Sequence, residues 1–472
     1  MGASIDRRDL EKRELLLNGN IFHGVLSVCL PMAAFQLLNE IFRVFDLGIT
    51  AQIDPSSVSA VSSFNQLSSS AAAIGNGLAI GAGILIAGYY GAGQFEKVKK
   101  AVNTALALAV TGALVLAAAL LVSGRWVLRL VNTPPELIEL GLSYYRVVMA
   151  NLVFVYFNAV YIAVEKARGN GGRILRINFL MASVKLILSA LFVLVLKRGV
   201  VMIAVATLLA NATVTVLGCI SLRDRDNAFG LSLQAVELRS DLPGRLLRIS
   251  APVMAEKFAF SAGKVVVNAV GFDYGTQTVG ALGVSNSISA LSTTSAGSIG
   301  DGGAAIIRQN VGGGNRERAL RVFGCVFVVD ILWGAVGFLA TWAFLDPILR
   351  VFSQGDSAFA GLIREIFTLE MLSNVFLAAH AAVMALLYAL EYTKLTFALN
   401  FSRLFVFRVP ILFLFQRFTD LPGGRAMGLV MMLSNAMTGL LALAVAGVVL
   451  WKEYGPGWPK QLLRGARPGE GR

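Results

Sequence analysis

Long apolar runs separated by short polar segments dominate this chain. Stretches such as 101–123, 177–196 and 427–450 carry at most one charge each. Each can cross a hydrocarbon core of ~30 Å, which takes ~20 helical residues at 1.5 Å apiece. The pattern predicts helices near 25–52, 58–90, 98–122, 137–163, 174–196, 199–221, 246–271, 279–307, 319–345, 362–388, 396–416 and 426–450. Twelve spans place both termini on one side of the membrane.

The pattern also repeats. Pro31 matches Pro252, Ala60 matches Ala281, Asn65 matches Asn286, Gly81 matches Gly302, Gly91 matches Gly312, Gly93 matches Gly314 and Glu96 matches Glu317, always at the one offset that takes 31 to 252. Lys97 with Arg318, and Arg173 with Lys394, extend the series. GYYGAGQFEKVKKA and RQNVGGGNRERALR therefore read as two copies of one loop, a glycine turn followed by a charged helix start. Six spans per copy is even, so both copies insert in the same direction. The expected fold is an all-α integral membrane protein, twelve transmembrane helices in two six-helix lobes related by a parallel internal repeat. The boundaries are an N-terminal segment 1–24, a first lobe 25–221, a linker 222–245, a second lobe 246–451 and a tail 452–472.

Composition agrees: 56% of the 472 residues are hydrophobic, 15% are charged, and the mean hydropathy is +0.69. A net charge of +13 would suggest nucleic acid in a soluble protein. Here 26 of the 41 Lys and Arg fall in loops on the side of the termini and 8 on the other. That asymmetry orients both termini to the cytoplasm of a cell membrane and makes anionic lipid, not nucleic acid, the partner of the basic excess. The charged segment before the first span lacks the apolar run of a secretory signal, so the first span itself is expected to target the chain. Cys29, Cys219 and Cys325 lie in or beside spans without CxxC spacing, which argues against a disulfide framework or zinc site and for plain packing.

The segment LPMAAFQLLNEIFRVFDLGIT in helix 1, the duplicated GAGQFEKVKKA loop and ARGNGGRILRINF before helix 5 together resemble the multidrug and toxic compound extrusion (MATE) family over about residues 20–450. The resemblance implies two lobes around a V-shaped cavity, export of amphipathic, often cationic compounds, and drive by inward protons or sodium. It also places Asp46 on the family's helix 1 aspartate, Tyr144 on a helix 4 tyrosine and Thr207 on a helix 6 threonine. Lys185 and Ser189 stand where the family carries Asn and Asp in helix 5. The helix 7 glutamate of sodium-dependent relatives falls on Phe260, with Glu256 one turn early, and the helix 10 acid falls near Leu377. These departures favour proton coupling through the first lobe.

An ionisable group inside a bilayer costs at least ~2.5 kcal/mol, so each one needs a partner or water. Glu40, Arg43 and Asp46 recur every three residues on helix 1 and can pair on adjacent turns. Lys185 is too deep to snorkel and is expected to pair with Asp46 or Glu40. In helix 8, Asp301 sits among small residues in AGSIGDGGAA, which suits a cavity or a close helix seam. Asp301 and Glu256 are the second-lobe candidates; Glu370, Arg403 and Arg408 are expected to pair within the second lobe as structural groups. The GNGLAIGAG run from Gly75 lacks the βαβ context of a dinucleotide loop and reads as GxxxG packing. Pro410 is expected to kink or open helix 11.

The sequence thus predicts a monomeric multi-pass transporter, an exporter of small organic substrates by proton or, second, sodium antiport, with no cofactor beyond the coupling cation. The alternative is a flippase for a lipid-linked substrate of the same superfamily. A membrane transferase is remote, because no HExxH, paired-His or Ser/His/Asp constellation is present and no metal or catalytic residues are assigned.

Overall fold

The computed structural model describes residues 4–50, 55–130, 135–353 and 356–463. The described chain is helical: α1 Arg7–Asn18, α2 Ile21–Thr50, α3 Pro55–Gly91, α4 Phe95–Leu130, α5 Pro135–Ala167, α6 Gly171–Ala190, α7 Val201–Ser221, α8 Asp241–Gly271, α9 Thr276–Gly312, α10 Arg316–Ala343, α11 Leu345–Ser353, α12 Ser357–Met371, α13 Asn374–Ala389, α14 Thr393–Phe401, α15 Val409–Phe418, α16 Gly423–Tyr454 and α17 Trp458–Leu463. Among the described residues nine helices are long and apolar enough to span a membrane, and α12 and α13, bent by 52° at their junction, are long and apolar enough only when taken together. The hydropathy pattern draws that pair as one helix, 362–388. Helices α8 and α9 are more polar and are the counterparts of α2 and α3.

The repeat survives in the element boundaries. Helices α3 and α9 begin at 55 and 276 and end at 91 and 312; α4 and α10 begin at 95 and 316; α2 and α8 end at 50 and 271. Every one of these pairs keeps the offset of the sequence repeat. Between α3 and α4, Gly93 takes a φ of 70°, and its counterpart Gly314 takes 80°, a left-handed conformation that only glycine adopts cheaply. Gln94 N–H donates to Tyr89 O at 2.9 Å, and Asn315 N–H to Asn310 O at 2.9 Å. Both loops are one helix stop of the Schellman type, built twice.

The chain forms two compact units, residues 1–13 with 38–261 and residues 14–37 with 262–472. They do not divide at the linker: the first half of α2 groups with the second unit, and α8 up to Ser261 groups with the first.

Small residues make the packing. In the first unit a Cβ on Gly75 would run into the Tyr156 ring of α5, and one on Gly77 would lie 2.5 Å from Met254 N of α8. In the second, α9 packs through Gly300 against Ala381 O of α13 and through Gly303 against Val326 of α10. Lipid is as apolar as leucine, so helices associate through such close approach rather than through apolar burial. The GxxxG reading of the Gly77 segment holds.

The N-terminal segment, to which the sequence pattern assigns no structure, forms α1. Arg168 at the end of α5 donates to Asp9 Oδ2 at 2.6 Å and to Glu165 Oε1 at 3.2 Å, with its guanidinium 4.6 Å from the centroid of the Phe229 ring. Burial alone would lower the Arg168 pKa, but Glu165 and Asp9 hold it above its ordinary value. Tyr90 donates its hydroxyl to Asp9 O, and Arg13 donates to Tyr90 O and Gly91 O.

Candidate functional site

In the first unit, the sequence candidates line two seams. Glu40 is buried on α2, 8% exposed. Arg43 and Asp46 lie on the backbone of α2 with side chains outside the described residues. The Phe42 ring meets Phe179 of α6 edge-on, centroids 6.2 Å apart, so the second half of α2 adjoins α6. On α6, Lys185 is half-buried and Ser189 is fully buried.

Tyr144, Asn151 and Asn158 recur every seven residues on α5, and Thr207, Asn211 and Thr215 every four on α7, so each set forms one stripe. The stripes meet. Asn211 Nδ2 donates to Asn151 Oδ1 at 3.1 Å, Asn158 Nδ2 to Asn211 O at 2.9 Å, and Thr215 Oγ1 to Asn158 Oδ1 at 2.8 Å. Thr207 hydroxyl is returned to Ile203 O of its own helix, and Tyr144 is buried. The asparagine ladder is absent from the sequence expectations, although its spacing is there to find.

Glu256, assigned by sequence to the second lobe, is buried within the first unit and pairs with Lys257 at 3.1 Å. Its place follows from the grouping of α8, which the linear order of the repeat does not reveal.

The second unit holds a larger cluster. After α14 the helix widens into a π turn, Ser402–Arg408, just before Pro410. Proline offers no N–H to the carbonyl one α-turn earlier, and the i→i+5 bonding of a π turn accommodates that loss. Residues five apart face away from each other on an α-helix, whereas a wider turn brings Arg403 and Arg408 to one face. Both reach Asn435 Oδ1 of α16: Arg403 Nε at 3.1 Å and Arg408 Nη2 at 2.8 Å. Arg408 Nε also donates to Ser434 Oγ at 3.0 Å, and Asn435 Nδ2 donates to Ser373 Oγ at 3.2 Å. Ser373 stands in the break between α12 and α13. Glu370, at the end of α12, accepts from Ser285 Oγ at 2.8 Å and feels the charge of both arginines. Glu370, Arg403 and Arg408 thus fall within electrostatic reach of one another, with Asn435 and Ser434 holding the arginines and Ser285 donating to the acid.

A second acid is missing from the sequence expectations. Asp330 stands 14 residues into α10, about 21 Å from its start at 1.5 Å per residue. It is fully buried, and neither carboxylate oxygen has a hydrogen-bond partner among the described residues. Asp301 on α9 is within electrostatic reach. The signal is a lone acid in the apolar run FVVDILW. Arg308, further along α9, pairs with Glu391. Among the described residues no group of three or more His, Cys, Asp or Glu stands together as a metal-binding set, and the three cysteines are unbridged.

The sequence matches the MatE family over residues 31–191 and 252–414, one match per repeat. A probable multidrug resistance protein, YoeA of Bacillus subtilis (strain 168), is 24% identical over 326 residues, covering 67% of this chain and 70% of the relative. Among solved structures, an outward-facing multidrug resistance MATE family transporter of the MOP superfamily superposes with a TM-score of 0.88 at 18% identity, over 95% of this chain and 99% of that one. A MOP superfamily transporter from Pyrococcus furiosus Vc1 gives 0.88 at 18% identity over 95% and 100%.

Proposed function

We propose, since this chain belongs to the MatE family, that it exports amphipathic, cationic organic compounds in exchange for an inward cation, protons first and sodium second, by alternating access of its two lobes. Membership makes it a multi-pass membrane efflux transporter and not an enzyme. The single observation that supports cation coupling is Asp330, a carboxyl group at mid-helix whose oxygens lack hydrogen bonds among the described residues; such a group is stable there as the neutral acid or beside a transported cation.

In the first lobe the coupling residue is Asp46. Helices α2 and α6 are both odd-numbered spans and run the same way. Taking the Phe42–Phe179 contact as level, Asp46 lies about 6 Å and Lys185 about 9 Å further along. Glu40 lies about 3 Å back, roughly 12 Å below Lys185 in height. The register supports Asp46 as the acid that Lys185 serves. Proton binding at Asp46 then competes with the ammonium and with a cationic substrate, and this competition ties substrate exit to proton entry. Both termini lie in the cytoplasm, by the placement of the basic loops.

Counterflow of a labelled cationic dye in proteoliposomes, with proton and sodium gradients imposed separately, tests the reading. Dye movement driven by the proton gradient is expected; movement driven by sodium alone reassigns the ion, and movement under neither gradient overturns antiport.

A further inference from the structure

A cleft of about 470 Å³ opens between α1, the α5–α6 turn, the start of α6 and the end of α7, wholly within the first unit. Five cations line it, Arg8, Lys12, Arg168, Arg173 and Arg176, against two carboxylates, Asp6 and Asp9. Arg168 is committed to Asp9 and Glu165, and Arg173 lies 3.9 Å from Glu165. The other three form no ion pair among the described residues. Lys12 donates to Asn170 Oδ1 at 2.8 Å and Arg176 to Gly172 O of its own helix at 3.3 Å, both neutral acceptors. Burial lowers the Lys12 pKa although Asp9 and Glu165 raise it, with Arg168 and Arg173 adding to the lowering. The cleft therefore carries more positive charge than its own acids neutralise.

Part of the wall is apolar: Ile177 of α6 with Leu217 and Ile220 of α7. It runs on into surface suited to acyl chains, since Ile220 is 62% exposed, Val216 56% and Phe179 50%. A soluble anion would use the cations and leave this wall idle. An amphiphile uses both, and basic pockets between spanning helices suit anionic headgroups.

We propose that this cleft binds the phosphodiester headgroup of an anionic phospholipid, held by Arg8, Lys12 and Arg176, with an acyl chain lying along Leu217 and Ile220. Glycerol-linked phosphodiesters fit the chemistry; a choline headgroup brings a cation into an already positive cleft and binds less well.

The test is native mass spectrometry of the full-length protein in detergent, titrated with phosphatidylglycerol, phosphatidylcholine, or inorganic phosphate. One phosphatidylglycerol adduct is expected, retained at least roughly tenfold better than phosphatidylcholine. The triple variant Arg8→Gln, Lys12→Gln, Arg176→Gln should weaken it on the order of 100-fold. A control, Arg223→Gln, Arg225→Gln, Arg239→Gln, removes three exposed linker charges outside the cleft and should keep the adduct; melting curves of both variants verify folding. Equal retention of the two lipids, equal loss in the control, or an unweakened adduct in the triple variant overturns the proposal. So does inorganic phosphate binding as tightly as the lipid, which makes the cleft a free-anion site. If the triple variant melts early, single substitutions at Arg8 and Arg176 replace it, and an unchanged adduct in both overturns the proposal equally.

Discussion

Cys29 and Ser250 occupy equivalent positions in the two repeats and make the same contact: Cys29 Sγ donates to Ile299 O at 3.4 Å, and Ser250 Oγ donates to Leu78 O at 3.4 Å. The acceptors, Leu78 and Ile299, are equivalent by the same offset. Beside each donor is a repeat-related glycine: a Cβ on Gly302 would lie 3.0 Å from Cys29 Sγ, and one on Gly81 would overlap Ser250 Oγ and lie 2.8 Å from Ser250 Cα. The first half of α2 against α9, and the first half of α8 against α3, are thus one packing motif used in each unit.

The two glycines should respond unequally. Gly302→Ala meets a flexible methionine thioether at 3.1 Å and a thiol and should cost less than about 1.5 kcal/mol. Gly81→Ala meets backbone and should cost about 1–3 kcal/mol. Melting of the purified protein in detergent orders them; equal melting temperatures would mean that α8 shifts freely from α3.

Much of this is open to sequence, and the reason is physical. Glycines that a close helix seam or a left-handed turn requires are poorly replaced, so Gly81, Gly93 and their partners mark the offset. Spans are legible because backbone polar groups in lipid must be satisfied within the helix, which forces long apolar runs. What stays hidden depends on departures from the regular helix. The spacing of Arg403 and Arg408 says opposite faces until the π turn is known. The break at residues 372–373 carries no proline or glycine. The grouping of Glu256 with the first unit depends on where half of α8 packs, which linear order does not encode.

Asn435 holds two buried guanidiniums. Asn435→Leu should destabilise the second unit by roughly 3–5 kcal/mol, because it strips acceptors from buried charges, whereas Asn435→Asp should keep the fold. Thermal unfolding of both variants decides; a well-folded Asn435→Leu would show that water or Glu370 suffices.

Asp330→Asn should leave stability within about 1 kcal/mol, since the carboxylate accepts no hydrogen bond from the described residues that the change could remove. Proton-driven export should fall at least about tenfold if the group carries a proton. Normal transport by the folded variant would mark Asp330 as a structural acid.

Lys185→Asn should move the pH midpoint of transport upward by about 1 unit or more, because removing a cation beside a carboxylate makes proton binding easier. Proteoliposome flux measured across pH checks this. An unchanged profile would separate Lys185 from the coupling acid.

The central claim is that substrate and proton compete for one site, and calorimetry measures this directly. Binding of a cationic dye to the purified protein is titrated in buffers of different ionisation enthalpy. The account predicts a net release of protons on binding, lost in Asp46→Asn while the variant remains folded. Identical heats in every buffer for the unmodified protein would contradict it.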